Sequence, residues 1–120
     1  MVDYANCDGH IWCNGKFVKW SECKIHVLNF GLHYANSVFE GIRVYNRHPL
    51  FLKDHLSRLV ASANTIGIHL DYSVAELQDA TLALCDKQNI EYGYIRPLVW
   101  LGSEDMANAA KCSVNIAIAA

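Results

Sequence analysis

Several things are missing from these 120 residues, and each absence narrows the function. No apolar run approaches the roughly 20 residues that cross a bilayer. The opening "MVDYANCDGH" has no charged stretch followed by an apolar one, so no export signal is expected there. There is no basic run, and a net charge of -2 removes the electrostatic footprint of a nucleic-acid binder. The five cysteines (Cys7, Cys13, Cys23, Cys85 and Cys112) are odd in number and contain no CxxC pair. A disulfide scaffold is thereby excluded, and reduced, mostly buried thiols of a cytoplasmic protein are expected. Cys7 and His10 could open a metal site, but no second ligand pair follows at a useful spacing, so no metal is expected. The six histidines are scattered and read as structural; His26 and His33 stand seven apart in a segment without helical period. Neither repeats nor low-complexity segments occur, and 52% hydrophobic with 18% charged residues describes one ordinary folded domain.

What is present reads as α+β. "IWCNGKFV" places Asn14-Gly15 between two short apolar runs, the strongest short-range hairpin signal. "KIHVLNFGLHY" is a mixed apolar stretch broken at Gly31. "SVFEGIRVY" (37–45) reads as one strand, followed by a turn at "NRHP" and a short strand "LFL". Two helices are then expected. Asp54 is the N-cap expected for the first, with Leu56, Leu59, Val60 and Ala63 on one face and Gly67 as its stop. Ser73 and Glu76 form the capping box of the second, with Leu77, Ala80, Thr81, Leu84 and Cys85 as its stripe. "YGYIRPLVWLG" returns to strand chemistry, with Pro97 pointing to a sheet edge or bulge. A polar loop and a final strand, "CSVNIAIAA", complete an antiparallel sheet with two helices packed on one side. The apolar end "IAIAA", with no turn or polar tail, is expected to continue into further chain.

The strand at 37–45 is odd for a packing element, because Glu40, Gly41 and Arg43 interrupt it. Glycine weakens a strand, and a buried charge needs a partner. Alternation puts Phe39, Gly41 and Arg43 on one face and Glu40, Ile42 and Val44 on the other. In the later strand Tyr94, Arg96 and Leu98 share a face. Each strand thus offers an aromatic ring with an arginine, a pairing that suits a carboxylate or phosphate beside an apolar wall. A bare glycine would let a ligand reach the backbone. On pattern alone the alternative stays open that Arg43 and Arg96 pair with Glu40, Glu91 or Asp54. Arg58, in the first of the two helices, reads on its own as a solvated residue.

"FGLHYANSVFEGIRVYN", "FLKDHLSRLVASA" and "YIRPLVWLG", in this order, resemble the N-terminal part of branched-chain amino acid aminotransferases, pyridoxal-phosphate enzymes of the class IV (fold type IV) group. "IWCNGKFVKW" and "VNIAIAA" fit the same region, so residues 11–120 resemble the small N-terminal α+β domain and residues 1–10 an extension before it. The resemblance implies that Arg58 of "HLSRL" contacts the phosphate of pyridoxal 5'-phosphate. It makes Phe39 the wall for an aliphatic side chain, with Gly41 and Arg43 supporting it. It associates Tyr94 and Arg96 with substrate carboxylates, and it sends Tyr34 into the pocket of a neighbouring subunit of a homo-oligomer. Amino acids and 2-oxo acids are the implied substrates. The catalytic lysine is implied to lie beyond residue 120, since none of Lys16, Lys19, Lys24, Lys53, Lys87 or Lys111 stands in a matching motif; these residues alone would not catalyse. D-amino-acid aminotransferases and aminodeoxychorismate lyases share the fold but not the combination of FEGIR with YxR. The alternative from another class is a free-standing binding module.

Overall fold

Asn14 and Gly15 turn the chain as their chemistry predicts, both at positive φ (48° and 89°). They join β1 (His10–Cys13) to β2 (Lys16–Lys19) in an antiparallel hairpin, and β1 starts one residue inside the segment expected to be an extension. The computed structural model describes all 120 residues. Its remaining elements are α1 (Phe30–Tyr34), β3 (Ser37–Phe39), β4 (Ile42–Tyr45), β5 (His48–Pro49), α2 (Leu52–Thr65), α3 (Val74–Lys87), β6 (Gly93–Leu101) and β7 (Val114–Ala119). The seven strands form one antiparallel sheet in the order β2-β1-β7-β6-β4-β5, with β3 also paired to β6. The α+β class and the two packed helices are as expected. No helix is long and apolar enough to cross a membrane.

Several local expectations are corrected. The stretch at 24–34 is not broken at Gly31: Asn29 accepts a hydrogen bond from the Leu32 N–H and caps a short helix that contains the glycine. "LFL" is not a strand, because Leu50 and Phe51 form the turn into α2. That helix begins at Leu52, after Phe51 in left-handed conformation (φ 50°), so Asp54 lies in its first turn and is not the cap. Only Cys85 of the five free thiols is buried; the other four are half-buried.

A further correction concerns the strand at 37–45 and Pro97 together. Residues 37–45 form two strands, β3 and β4, separated at Glu40–Gly41. Both keep one register on β6, with Phe39 opposite Leu98 and Ile42 opposite Ile95. Pro97 lies inside β6, a strand with neighbours on both sides, and not at a sheet edge. Its carbonyl accepts from the Glu40 N–H at 3.1 Å, so its missing N–H faces the gap between β3 and β4. A proline is tolerated in an interior strand because the partner strand is interrupted opposite it.

The capping box of α3 forms as predicted, with Ser73 and Glu76 bonding each other's backbone N–H. Gly67 follows α2 at φ 79°. Leu56, Leu59 and Ala63 of α2 and Leu77, Thr81 and Leu84 of α3 are fully buried against Ile42, Val44, Ile95, Val99, Ile116 and Ile118 on one face of the sheet. The other face carries α1 and the segment before it, and is left more open. Removing the Leu59 side chain from this core should cost about 2–5 kcal/mol. Urea unfolding of Leu59→Ala in the full-length protein should show that loss as a lower midpoint.

Candidate active site

The charge buried in the sheet is Glu40, only 6% exposed. It sits in the gap between β3 and β4 and points towards α2, on the face opposite Phe39. The Arg58 guanidinium meets it with two parallel bonds: Nε donates to Oε1 at 2.6 Å and Nη2 to Oε2 at 2.8 Å. His55, one turn earlier on α2, donates Nδ1–H to Oε2 at 2.8 Å. An ionised carboxylate accepts only, which places the proton on Nδ1. The Arg58 hydrogen bonds hold the Glu40 carboxyl below the usual carboxylate range, against the opposing effect of burial and with His55 assisting. In return Glu40 raises the pKa of Arg58. Arg58 remains 67% exposed at its side chain, and Nη1 has no protein partner. A guanidinium with its plane fixed from behind and a free donor in front can hold an oxyanion.

The opposite face gathers four of the candidates. The Arg96 guanidinium lies 4.2 Å from the Phe39 ring centroid and 5.4 Å from that of Tyr94. Its Nη2 donates to the Tyr94 hydroxyl at 2.9 Å. Gly41 supplies the room, since a Cβ there would collide with the Tyr94 hydroxyl. The group that approaches the bare backbone is therefore this phenol of the protein. Arg43 faces Tyr94 across the ladder, but its guanidinium turns along β4 to sit 5.5 Å from the Tyr45 ring. No acid pairs with Arg43 or Arg96, which settles the alternative left open by the sequence. The acid of this region belongs to Arg58.

Tyr34 stands apart from the cluster. It ends α1, packs against Phe30 with ring centroids 4.5 Å apart, and donates its hydroxyl to the Met106 carbonyl at 3.0 Å. Its ring is largely exposed.

Arg96 lies between two cavities. One, of about 570 Å³, is lined by Ile11, Cys23, Leu98 and Ala117 among others. The other, of about 590 Å³, is lined by Tyr94 with Tyr4, Asp8 and Trp20. The first ten residues thus wall the site. Trp20 Nε1–H bonds the Tyr4 carbonyl, Trp20 N–H bonds the Gly9 carbonyl, and the Gln88 side chain accepts from the His10 N–H. Sequence reasoning missed this wall and also His55. The only signal for His55 was its place three residues before Arg58, on one helical face.

A buried arginine-bound carboxylate stands on one side of the sheet, and an arginine without an acid stands between two aromatic rings on the other, a chemistry suited to small anions. The family model for amino-transferase class IV matches residues 37–120, and the chain belongs to that family. Among curated relatives, a probable branched-chain-amino-acid aminotransferase of Rickettsia bellii is 45% identical over 112 residues, covering 92% of this chain and 39% of the relative. The branched-chain-amino-acid aminotransferase of Pseudomonas aeruginosa is 40% identical over 124 residues, covering 99% of this chain and 40% of the relative. Of the solved structures, an Escherichia coli branched-chain amino acid aminotransferase superposes with a TM-score of 0.87 at 37% identity, over 94% of this chain and 40% of that one. The T.th. branched-chain amino acid aminotransferase complexed with N-(5'-phosphopyridoxyl)-L-glutamate gives 0.84 at 33% identity, over 92% and 39%. The chain therefore spans about two-fifths of the length of these relatives.

The lowered Glu40 pKa carries a pH signature. A carboxylate whose folded pKa is depressed stabilises the fold above its unfolded value of about 4.3, and loses that contribution as pH falls through the folded value. Glu40→Gln in the full-length protein should therefore be less stable than the parent by a constant margin above about pH 5. The margin should shrink below about pH 4. Urea midpoints measured across this range check it.

Proposed function

We propose that this chain is the amino-terminal part of a pyridoxal-phosphate enzyme that moves the amino group of leucine, isoleucine or valine to 2-oxoglutarate. The observation that carries the reading is the arrangement of two arginines on opposite faces of one sheet. One is oriented by Glu40, and the other is sandwiched by aromatic rings with no acid of its own. The similarity to branched-chain aminotransferases supports the substrate class.

Pyridoxal phosphate, when bound, supplies an electron sink for bonds at the α-carbon of the amino acid. The residues of this chain fit its phosphate. Glu40 takes Nε and one edge of Arg58 and leaves Nη1 free, so Arg58 presents a donor to a phosphate oxygen without rotating away. His55 takes the second lone pair of Glu40 Oε2 and keeps the carboxylate from turning towards the ligand.

Two chemically unlike side chains must be accepted in turn, an aliphatic one and a carboxylate. Phe39 is the apolar wall for the first, with Gly41 and Arg43 shaping the strand behind it. Arg96 is the cation for the second, and Tyr94 orients it through the hydroxyl bond. The guanidinium resting on Phe39 places wall and cation within one side-chain length of each other. Tyr34, exposed at the end of α1, reaches a second copy of the protein in a homo-oligomer, and the catalytic lysine comes from sequence beyond these residues. The five free thiols suit the cytoplasm.

In the full-length enzyme, Arg58→Ala should raise the dissociation constant for pyridoxal phosphate about ten- to a hundredfold, from the worth of one charge-assisted phosphate bond. Spectroscopic titration of the apoenzyme measures this; unchanged cofactor affinity would remove Arg58 from the phosphate site. Arg96→Leu should lower kcat/KM for glutamate and 2-oxoglutarate about ten- to a hundredfold and leave leucine much less affected. Single-turnover rates of the two half-reactions decide it. Equal losses would retire the distal-carboxylate role.

A further inference from the structure

Residues 20–30 cross the open face of the sheet. The crossing is anchored at both ends, by Trp20 N–H to the Gly9 carbonyl and by Phe30 N–H to the Gly102 carbonyl. Beneath it runs β1, whose alternation sends Trp12 into the core and leaves Ile11 and Cys13 on the open face. Ile11 shares the 570 Å³ cavity wall with Cys23, Ile25 and Ala117. Ala117 is also the residue opposite Cys13 in the β1–β7 register. Cys13, for its part, lines an adjoining cavity with Lys24 and Ile25, which follow Cys23 directly. Each thiol thus lies among the other's neighbours, and Cys23 is one of the groups that act on the Cys13 thiol. Both are free and half-buried, and neither takes part in the chemistry proposed above.

We propose that Cys13 and Cys23 are a modification site, closed to a reversible disulfide by a peroxide, which ties the 20–30 crossing to β1 beside the cavity that holds Arg96. The thiol of Cys13 is pushed up to about 11, mainly by burial and next by Cys23, with Lys16 only partly offsetting this. It is therefore the resolving partner, and Cys23, on the wall of the larger cavity, meets the oxidant. Peroxide transfers one oxygen to the Cys23 sulfur, giving a sulfenic acid and one water. The Cys13 sulfur then attacks the Cys23 sulfur; the S–O bond breaks, and the hydroxyl leaves with the Cys13 proton as a second water. Two thiols and one peroxide become one disulfide and two waters. A dithiol reductant reverses the step by exchange.

The full-length protein, treated with hydrogen peroxide and then alkylated, tests this by peptide mapping. Cleavage after lysine and before aspartate releases Asp8–Lys16 and Trp20–Lys24, each with a single cysteine. The two peptides should appear joined, two hydrogens lighter than their sum, and separate on reduction. In Cys13→Ser, checked for folding by circular dichroism, Cys23 should accumulate sulfenic acid and give several times more dimedone adduct than the parent. In Cys23→Ser, Cys13 should stay alkylatable as a free thiol. Cys23 remaining a free thiol in the peroxide-treated parent, or found joined to any cysteine other than Cys13, would overturn the proposal. The parent's cross-link decides the matter even if a variant fails to fold.

Discussion

A carboxylate buried inside a sheet has to be met by cations or stay protonated. In this chain Glu40 is met by Arg58 in two bonds and by His55 in a third, all from one helix. That interaction fixes where α2 lies on the sheet, since a fork with both distances under 3 Å leaves the helix little freedom to slide. It also makes Arg58 a directed donor, whereas an unsupported arginine on an exposed helix face would sample many rotamers. The worth of the pair lies in this orientation; a hydrophobic substitute could stabilise the fold as well.

The sheet accommodates Glu40 by a break that two residues share. Pro97 has no N–H to offer, and the chain opposite it leaves the ladder at Glu40–Gly41 while keeping register on either side. The break lets Glu40 turn towards the helix, and Gly41 opens the space that the Tyr94 hydroxyl fills. Through that hydroxyl the break also reaches Arg96. One irregular stretch therefore organises a directed hydrogen-bond donor on the helix side and an aromatic-arginine cluster on the other. Sheet irregularities often serve to re-aim side chains in this way.

Much of the scaffold was legible from local chemistry. The Asn14-Gly15 hairpin, the Ser73–Glu76 capping box, the apolar stripes of α2 and α3 and the alternation of 37–45 and 93–101 each depend on a few neighbouring residues. What failed was also local, where two signals competed. Gly31 read as a breaker, yet the Asn29 cap made a helix turn around it; Asp54 read as a cap, yet the left-handed Phe51 started the helix earlier. Pro97 read as an edge residue because nothing in its own segment reveals that the opposing strand is interrupted.

The sequence by itself determined the class of fold, the family, and the residue types of the site: two aromatic-arginine strands and an arginine on a helix. Only the tertiary structure decided which charge belongs to which. Glu40 and Arg58 are eighteen residues apart and Phe39 and Arg96 far more, and their pairing depends on strand order and helix placement. Periodicity can say which face a side chain occupies, because that follows from backbone geometry one residue at a time. It cannot say what stands opposite that face. The partners of Glu40, the phenol over Gly41, the wall made by the first ten residues and the meeting of Cys13 with Cys23 all arise from segments brought together by the burial of the core, a non-directional force that leaves no mark in any one of them.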